Sequence, residues 1–310
     1  MEKFEGPEKK LEIVLFASHP GLRENTDGRW ERVVCASGAE ILKRKSGEKL
    51  DAYLLSESSL FVWDDRILII TCGKTSPAMA LPVILEFIQR QKVAFLFYER
   101  KNQNFPDEQP TDFENEQAYL LNYFLGRSTR LGSAARDHIH VFYYANSHRA
   151  PAPDASLQVL MHDIDPGVAQ TFFHDNARRD DRNAILRGLT EFFPAMNVDT
   201  HCFYPQGYSL NGISGPHYFT VHVTPQPEAS YASFETNVMA RDYSRVTEEI
   251  VSLFKPRRFS LVLTTSRDSQ CKAMHSQINA DQPGYLATDR MRHAFDRNYM
   301  ATFSNFLKQP

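Results

Sequence analysis

The chain has 310 residues, 42% of them hydrophobic and 24% charged, the balance of a folded globular protein rather than a disordered or fibrous one. A formal net charge of -3 supplies no overall positive field for phosphate backbones or anionic membranes, which argues against nucleic acid and membrane surfaces as partners. No apolar run approaches the roughly 20 residues that span a bilayer. The acidic start Met1-Glu2-Lys3-Phe4-Glu5 is unlike a secretory signal, and Cys35, Cys72, Cys202 and Cys271 form no C-x-x-C pair, so free thiols and a cytoplasmic location are expected.

Lys10 to Phe16 places Leu11, Ile13 and Leu15 on one side and predicts a strand. Asp27-Gly28 opens a helical pattern through Trp30, Val33, Val34 and Ile41 that closes among basic residues before Gly47. Asp51 to Cys72 predicts two β-rich stretches joined through Asp64-Asp65-Arg66. Helices are expected at Pro82 to Gln91 and Phe113 to Phe124, and strands at Val93 to Tyr98 and His138 to Tyr144. A similar order returns with strands at Tyr218 to Thr224 and Tyr231 to Glu235, a helix over Met239 to Phe254 and a strand at Phe259 to Thr264. Ala150 to Pro153 and Gly212 to Pro216 read as loops, and Arg178-Arg179-Asp180-Asp181-Arg182 as self-compensating surface charge. Strand-rich pairs alternating with helices predict an α+β fold in one domain, 1–310, and no repeat in the text is strong enough to prove duplication.

The chemistry-bearing segments lie between apolar runs. Ser56-Glu57-Ser58-Ser59 is a polar cluster flanked by Tyr53-Leu54-Leu55 and Leu60-Phe61-Val62, and it must find partners if buried. It reads either as a turn with hydroxyls on backbone groups or as a serine placed to attack the preceding carbonyl. Such an attack converts amide to ester, and β-elimination then leaves an N-terminal pyruvoyl group; it needs a proton acceptor and an oxyanion stabiliser. Ser209 in a glycine-flanked turn and His222 on a predicted strand are candidates for those needs, although a lone strand histidine is more often a satisfied core or sheet residue than a base. His138 with His140, or His162 near Asp163 and Asp165, supply no fuller ligand set, so no metal is expected.

Phe4-Glu5-Gly6-Pro7-Glu8-Lys9, Leu55-Ser56-Glu57-Ser58-Ser59-Leu60-Phe61, Ile70-Thr71-Cys72-Gly73, Gly207-Tyr208-Ser209-Leu210-Asn211-Gly212, and His222-Val223-Thr224-Pro225 with Ser233-Phe234-Glu235-Thr236-Asn237 together resemble the eukaryotic-type S-adenosylmethionine decarboxylase proenzymes. The resemblance implies a four-layer αββα sandwich and cleavage between Glu57 and Ser58. A β chain, 1–57, and an α chain, 58–310, would then remain together as one unit or a dimer of units. The cofactor would be a covalent pyruvoyl group made from Ser58, with no metal and no pyridoxal phosphate. Such a ketone takes the substrate's amine and draws electrons from the carbon that loses CO2.

The same resemblance gives His222 the proton-abstracting role in processing, Ser209 a supporting one, Glu8 a place beside the cofactor and Cys72 the part of proton donor. It puts the adenine between Phe4 and Phe203, with Leu55 also at the substrate and Gln226 where the family has an acidic ribose ligand. Gln206 stands where the family commonly has cysteine. An acidic effector cluster maps to Glu12, Asp154, Gln158 and Glu235, with Gln158 replacing a carboxylate and Ile70 a lysine, so weak or absent putrescine activation is expected. Two other readings are a pyruvoyl-dependent decarboxylase of L-ornithine or L-arginine and a non-catalytic activating subunit.

Overall fold

The computed structural model describes residues 3–146, 153–174, 179–267, 271, 273–278 and 280–310. Its first half builds β1 Lys9–Leu15, β2 Ile41–Ser46, β3 Leu50–Leu55, β4 Ser58–Trp63, β5 Arg66–Thr71, β6 Val93–Lys101, β7 Arg127–Leu131 and β8 Ile139–Ala145. The second half builds β9 Ala155–His162, β10 Asn197–Cys202, β11 Tyr208–Ser214, β12 His217–Thr224, β13 Tyr231–Thr236, β14 Arg258–Ser266, β15 Tyr285–Phe295 and β16 Tyr299–Lys308. Each set forms one eight-stranded antiparallel sheet, in the orders β2-β3-β4-β5-β1-β6-β8-β7 and β10-β11-β12-β13-β9-β14-β16-β15. The two orders are the same eight strands on, a duplication of topology that the sequence does not display.

The period-2 alternation of the strands sorts the layers. On β1, Leu11, Ile13 and Leu15 join Trp30, Val33 and Val34 of helix α1 (Arg29–Ala36), Leu81 and Ile84 of α2 (Leu81–Phe87), and Phe113 and Leu120 of α3 (Phe113–Leu121) in one outer core. On the other sheet, Val159, Leu210, Val221, Phe234 and Leu261 pack with α4 (Pro166–Gln170), α5 (Arg179–Phe192) and α6 (Tyr243–Phe254). The inner faces meet in two smaller apolar clusters, one around Phe97, Leu160 and Phe303 and the other around Phe61, Trp63 and Tyr218. The polar inward positions lie in the same space between the sheets, and the α+β sandwich of helix, sheet, sheet and helix is as expected.

Three local expectations change. The first helix stops at Ala36, because Gly38 takes φ 89° and Ala39 N–H donates to Val34 O, so Ile41–Ser46 leaves as an edge strand. Asp51 to Cys72 is three strands, since Ser56-Glu57 makes a second tight turn without glycine or proline. Gly212 lies inside β11, with the turn only at Gly215-Pro216, and no side chain would fit there because a Cβ would sit 2.3 Å from the Phe219 ring. The expected break at 150–153 falls mostly outside the described residues, as does Arg178 of the charged run.

Candidate active site

The two halves contribute equivalent hairpins, β3–β4 and β11–β12, and these face each other across the sandwich. Leu55 pairs with Ser58 across the Ser56-Glu57 turn. Ser58 opens β4 at φ 112°, a backbone region that residues with a Cβ rarely enter, at a cost of about 1–3 kcal/mol. It is 1% exposed, and its hydroxyl donates to Cys72 Sγ at 3.4 Å. The Cys72 N–H donates to the Glu57 carbonyl oxygen at 3.2 Å. The carbonyl that Ser58 would attack is therefore already held by a donor aimed at its oxygen.

On β12 the alternation turns Thr220 and His222 inward, and on β11 it turns Ser209 and Asn211 inward to meet them, so Ser209 lies on a strand paired with His222 and not in the turn expected for it. His222 Nδ1 lies 2.8 Å from Ser209 Oγ. His222 Nε2 lies 2.8 Å from Thr220 Oγ1 and 3.3 Å from Ser59 Oγ. Both of those hydroxyls donate to Asn211 Oδ1, each at 2.8 Å. With their protons so committed, the assignment that satisfies every group puts the ring hydrogen on Nε2 and leaves Nδ1 accepting from Ser209. Burial lowers His222 to about 3, so the ring is neutral and open to a proton.

Burial, and then the neighbouring Glu57 carboxyl, pushes the Cys72 thiol well above the ordinary range, so it stays protonated at neutral pH. Burial pushes Glu57 up to about 7. Glu8 is half-buried between the sheets and accepts from Ser233 Oγ at 2.6 Å; burial outweighs that bond and pushes its carboxyl up to about 8. Ser58, Cys72, Ser209, His222, Phe4, Phe203 and Gln226 line one cavity of about 370 Å³. A second cavity of about 300 Å³ shares Phe4, Glu57 and Gln226 with it. Larger cavities of about 970 and 820 Å³ lie elsewhere, around Phe113 and Arg136 and around Ile164 and Lys255, and contain none of the chemical groups.

Not every expected residue reaches this cavity. Leu55 is fully buried in the helix-side core, so its side chain does not line the site. Gln226 does, and its Oε1 accepts from the Phe4 N–H at 2.8 Å, which ties the first aromatic wall to the exit of β12. Glu12, Asp154, Gln158 and Glu235 gather between the sheets with two cations, Arg66 on Glu12 and Asp154 and Lys10 on Glu235. Gln158 donates to Glu99 Oε2 at 2.7 Å. Ser59, Asn211, Thr220, Lys10 and Arg66 join these groups without being singled out by their place in the sequence. Asn211 and Thr220 stand two residues from Ser209 and His222 on the same strand faces, so period 2 alone is a signal that could find them.

Cys35, Cys72, Cys202 and Cys271 form no disulfide. Among the described residues no group of three or more His, Cys, Asp and Glu is placed to hold a metal ion. His162 is instead buried beside Asp137, and His138 packs edge-on against His140. No described helix is long and apolar enough to cross a membrane.

A hydroxyl on a strained peptide, a held carbonyl, a neutral histidine and a protonated thiol lie around one cavity, groups suited to catalysis, and the protein is an enzyme. The family model for adenosylmethionine decarboxylase matches residues 1–307. The S-adenosylmethionine decarboxylase proenzyme of Dictyostelium discoideum is 32% identical over 98% of this chain and 85% of its own length. That of Drosophila melanogaster is 33% identical over 86% and 84%, and that of Xenopus laevis 31% over 98% and 95%. The crystal structure of the Trypanosoma brucei AdoMetDC-delta26 monomer superimposes with a TM-score of 0.64 at 26% identity, over 81% of this chain and 99% of that one. The chain belongs to the adenosylmethionine decarboxylase family.

Proposed function

We propose that the chain cuts itself between Glu57 and Ser58 and then decarboxylates S-adenosylmethionine in the cytoplasm. The observation that carries this reading is the geometry at the cut: Ser58 at φ 112° next to a Glu57 carbonyl already held by the Cys72 N–H. Attack by Ser58 Oγ relieves the strained peptide and gives an ester, and the held oxygen is where negative charge develops. Removal of the Ser58 Cα proton expels the Glu57 carboxylate, and water then replaces the nitrogen as ammonia, leaving a pyruvoyl group on the long chain. His222, neutral and braced by Ser209 and Thr220, is the base for that proton.

The residues present suit such a group. Ser58 faces Cys72 at the wall of the 370 Å³ cavity, so a ketone made from it stays beside a protonated thiol. When formed, the pyruvoyl group supplies an electron sink for the carbon that loses CO2. Cys72 donates the proton that carbon requires; Glu8, held by Ser233, is a neighbour of the thiol although it does not line the cavity. After the cut, residues 1–57 still contribute β1, β2 and β3 to the first sheet, so the two fragments stay paired through strand hydrogen bonds.

Phe4 and Phe203 on one cavity favour a nucleoside over L-ornithine or L-arginine, because a flat base and a sulfonium both gain from aromatic faces. An activating subunit without chemistry has no need for Ser58, Cys72, Ser209 and His222 to converge. Mass spectrometry of the long fragment's N-terminus, with CO2 release assayed from each of the three substrates, tests the reading. A pyruvoyl N-terminus with activity on S-adenosylmethionine alone supports it; an active but uncut chain that keeps its seryl residue overturns it.

A further inference from the structure

Glu57 meets Cys72 twice. Its carbonyl accepts from the Cys72 N–H at 3.2 Å, and its side-chain Oε2 accepts from Cys72 Sγ at 3.9 Å. The seat of that carboxyl is tightly cut: a Cβ on Gly73, which takes φ 62°, would lie 2.8 Å from Glu57 Oε2 and 3.2 Å from the Phe4 ring. Only glycine next to the thiol leaves room for the carboxyl there.

Glu57 also stands between two spaces. On one side is the cavity that holds Ser58, Cys72 and His222, and on the other the smaller one lined by Lys3, Lys74, Glu108 and Gln109. Lys3 and Glu108 are 54% and 40% exposed at their side chains, so the outer space meets water while Cys72 itself is 8% exposed.

We propose that the Glu57 side chain is a proton relay for Cys72, a role that rests on the decarboxylase reading above. Cys72 Sγ–H gives its proton to the carbon left by CO2, forming a thiolate. The Glu57 carboxyl then gives its proton to that sulfur and becomes a carboxylate, and water in the outer cavity restores the carboxyl. One proton enters from solvent for each one placed on product, and nothing is oxidised or reduced.

The surroundings suit the role. Burial holds Glu57 at about 7, where it can both carry and release a proton. The groups facing the pair are Lys9, from the helix-side face of β1, whose ammonium donates to Gly73 O at 2.8 Å, with Glu5 and Glu8 on the same segment and neutral His222 from the opposite sheet. Lys3, Lys74 and Glu108 complete the outer side.

The test has two arms, with Glu57→Gln and Glu57→Asp. In the uncut Ser58→Ala chain, iodoacetamide labelling of the Cys72 peptide is followed by mass spectrometry from pH 5 to 10. Glu57→Gln removes the neighbouring carboxylate, so Cys72 titrates at lower pH and labels about tenfold faster at pH 8. Identical labelling profiles overturn the proposal, whether or not the cut enzyme decarboxylates anything. In cut enzyme, the wild-type kcat falls as pH rises through about 7. In Glu57→Gln that limb disappears and kcat is lower at unchanged KM, with Glu57→Asp restoring part of both. A Glu57→Gln enzyme with wild-type kcat and pH profile overturns it equally.

Discussion

Lys10 stands directly across the strand pair from Ile70 and sets its ammonium 2.8 Å from the Glu235 carboxylate. The lysine expected at position 70 from the resemblance has thus been replaced by one on the neighbouring strand, at the same level of the sheet. Arg66 does likewise for the rest of the cluster, at 3.1 Å from Glu12 and 2.6 Å from Asp154. Two resident cations already offset half of the four carboxylates gathered there, Glu12, Asp154, Glu235 and Glu99, and Lys10 occupies the place beside Glu235 that an added diamine would take. Putrescine should therefore leave the decarboxylation rate of this chain unchanged. Lys10→Leu should cost about 3–5 kcal/mol by stranding Glu235, and in that variant alone putrescine should recover part of the loss. Thermal unfolding with and without putrescine decides it, and a several-fold activation of the unaltered enzyme would count against the idea.

His222 is neutral through the physiological range because burial lowers it to about 3. The rate of self-cleavage should then owe no pH dependence between 5 and 8 to this residue. His222→Gln should slow appearance of the two fragments by about 100-fold or more, the usual worth of a positioned base. Thr220→Val removes the nearer partner of Nε2, leaving only Ser59 at 3.3 Å, and loosens the ring's tautomer, and a slowing of about tenfold is expected, or 1.4 kcal/mol. Timed gels of freshly made chain read both, and a Thr220→Val chain that cuts at full speed would remove the tautomer argument.

Glu8 carries the clearest dependence of stability on pH. Its folded value of about 8 lies above the 4.5 of a free carboxyl, so the folded chain keeps a proton that the unfolded chain has released. Its contribution is complete below about 4.5 and is lost as pH rises through 8. Glu8→Gln removes that dependence. Unfolding by denaturant in the uncut Ser58→Ala background should show the Gln variant gaining on its parent between pH 5 and 8.5. Parallel curves for the two chains would refute the assignment.

What is legible in the sequence divides from what is not along physical lines. Leu11, Ile13 and Leu15 betray β1 because one face of that strand meets helices while the other carries Lys10 and Glu12, so the alternation is clean. The edge strand Ile41–Ser46 and the hairpin Tyr285–Phe295 with Tyr299–Lys308 escape such a reading because their outward positions are charged or mixed and the alternation is weak. Ser58, Cys72, Ser209 and His222 are legible because each sits in a short motif of its own. The Lys10–Glu235 and Arg66–Asp154 pairs are not, since they depend on the register of β1 against β5 and on which strands of the two sheets come face to face. The common topology of the halves is hidden for a related reason: it lies in strand order, which a changed side chain does not disturb.

Substrate choice rests on Phe4, Phe203 and Gln226, which line the same cavity. Removing either ring should weaken binding by about 1–3 kcal/mol, the range for one base stacked on an aromatic side chain, and appear as a KM raised by roughly 5- to 150-fold at a smaller change in kcat. Gln226 Oε1 is engaged by the Phe4 N–H, so Gln226→Glu keeps that acceptor and adds a charge. A charge-assisted bond to a ribose hydroxyl is roughly twice as strong as a neutral one, so KM for S-adenosylmethionine should fall by about tenfold in that variant. Activity on L-ornithine should not improve with it. If Phe4→Ala and Phe203→Ala leave KM for S-adenosylmethionine where it was, the aromatic pair is not the nucleoside site, and the choice among amino-acid substrates reopens.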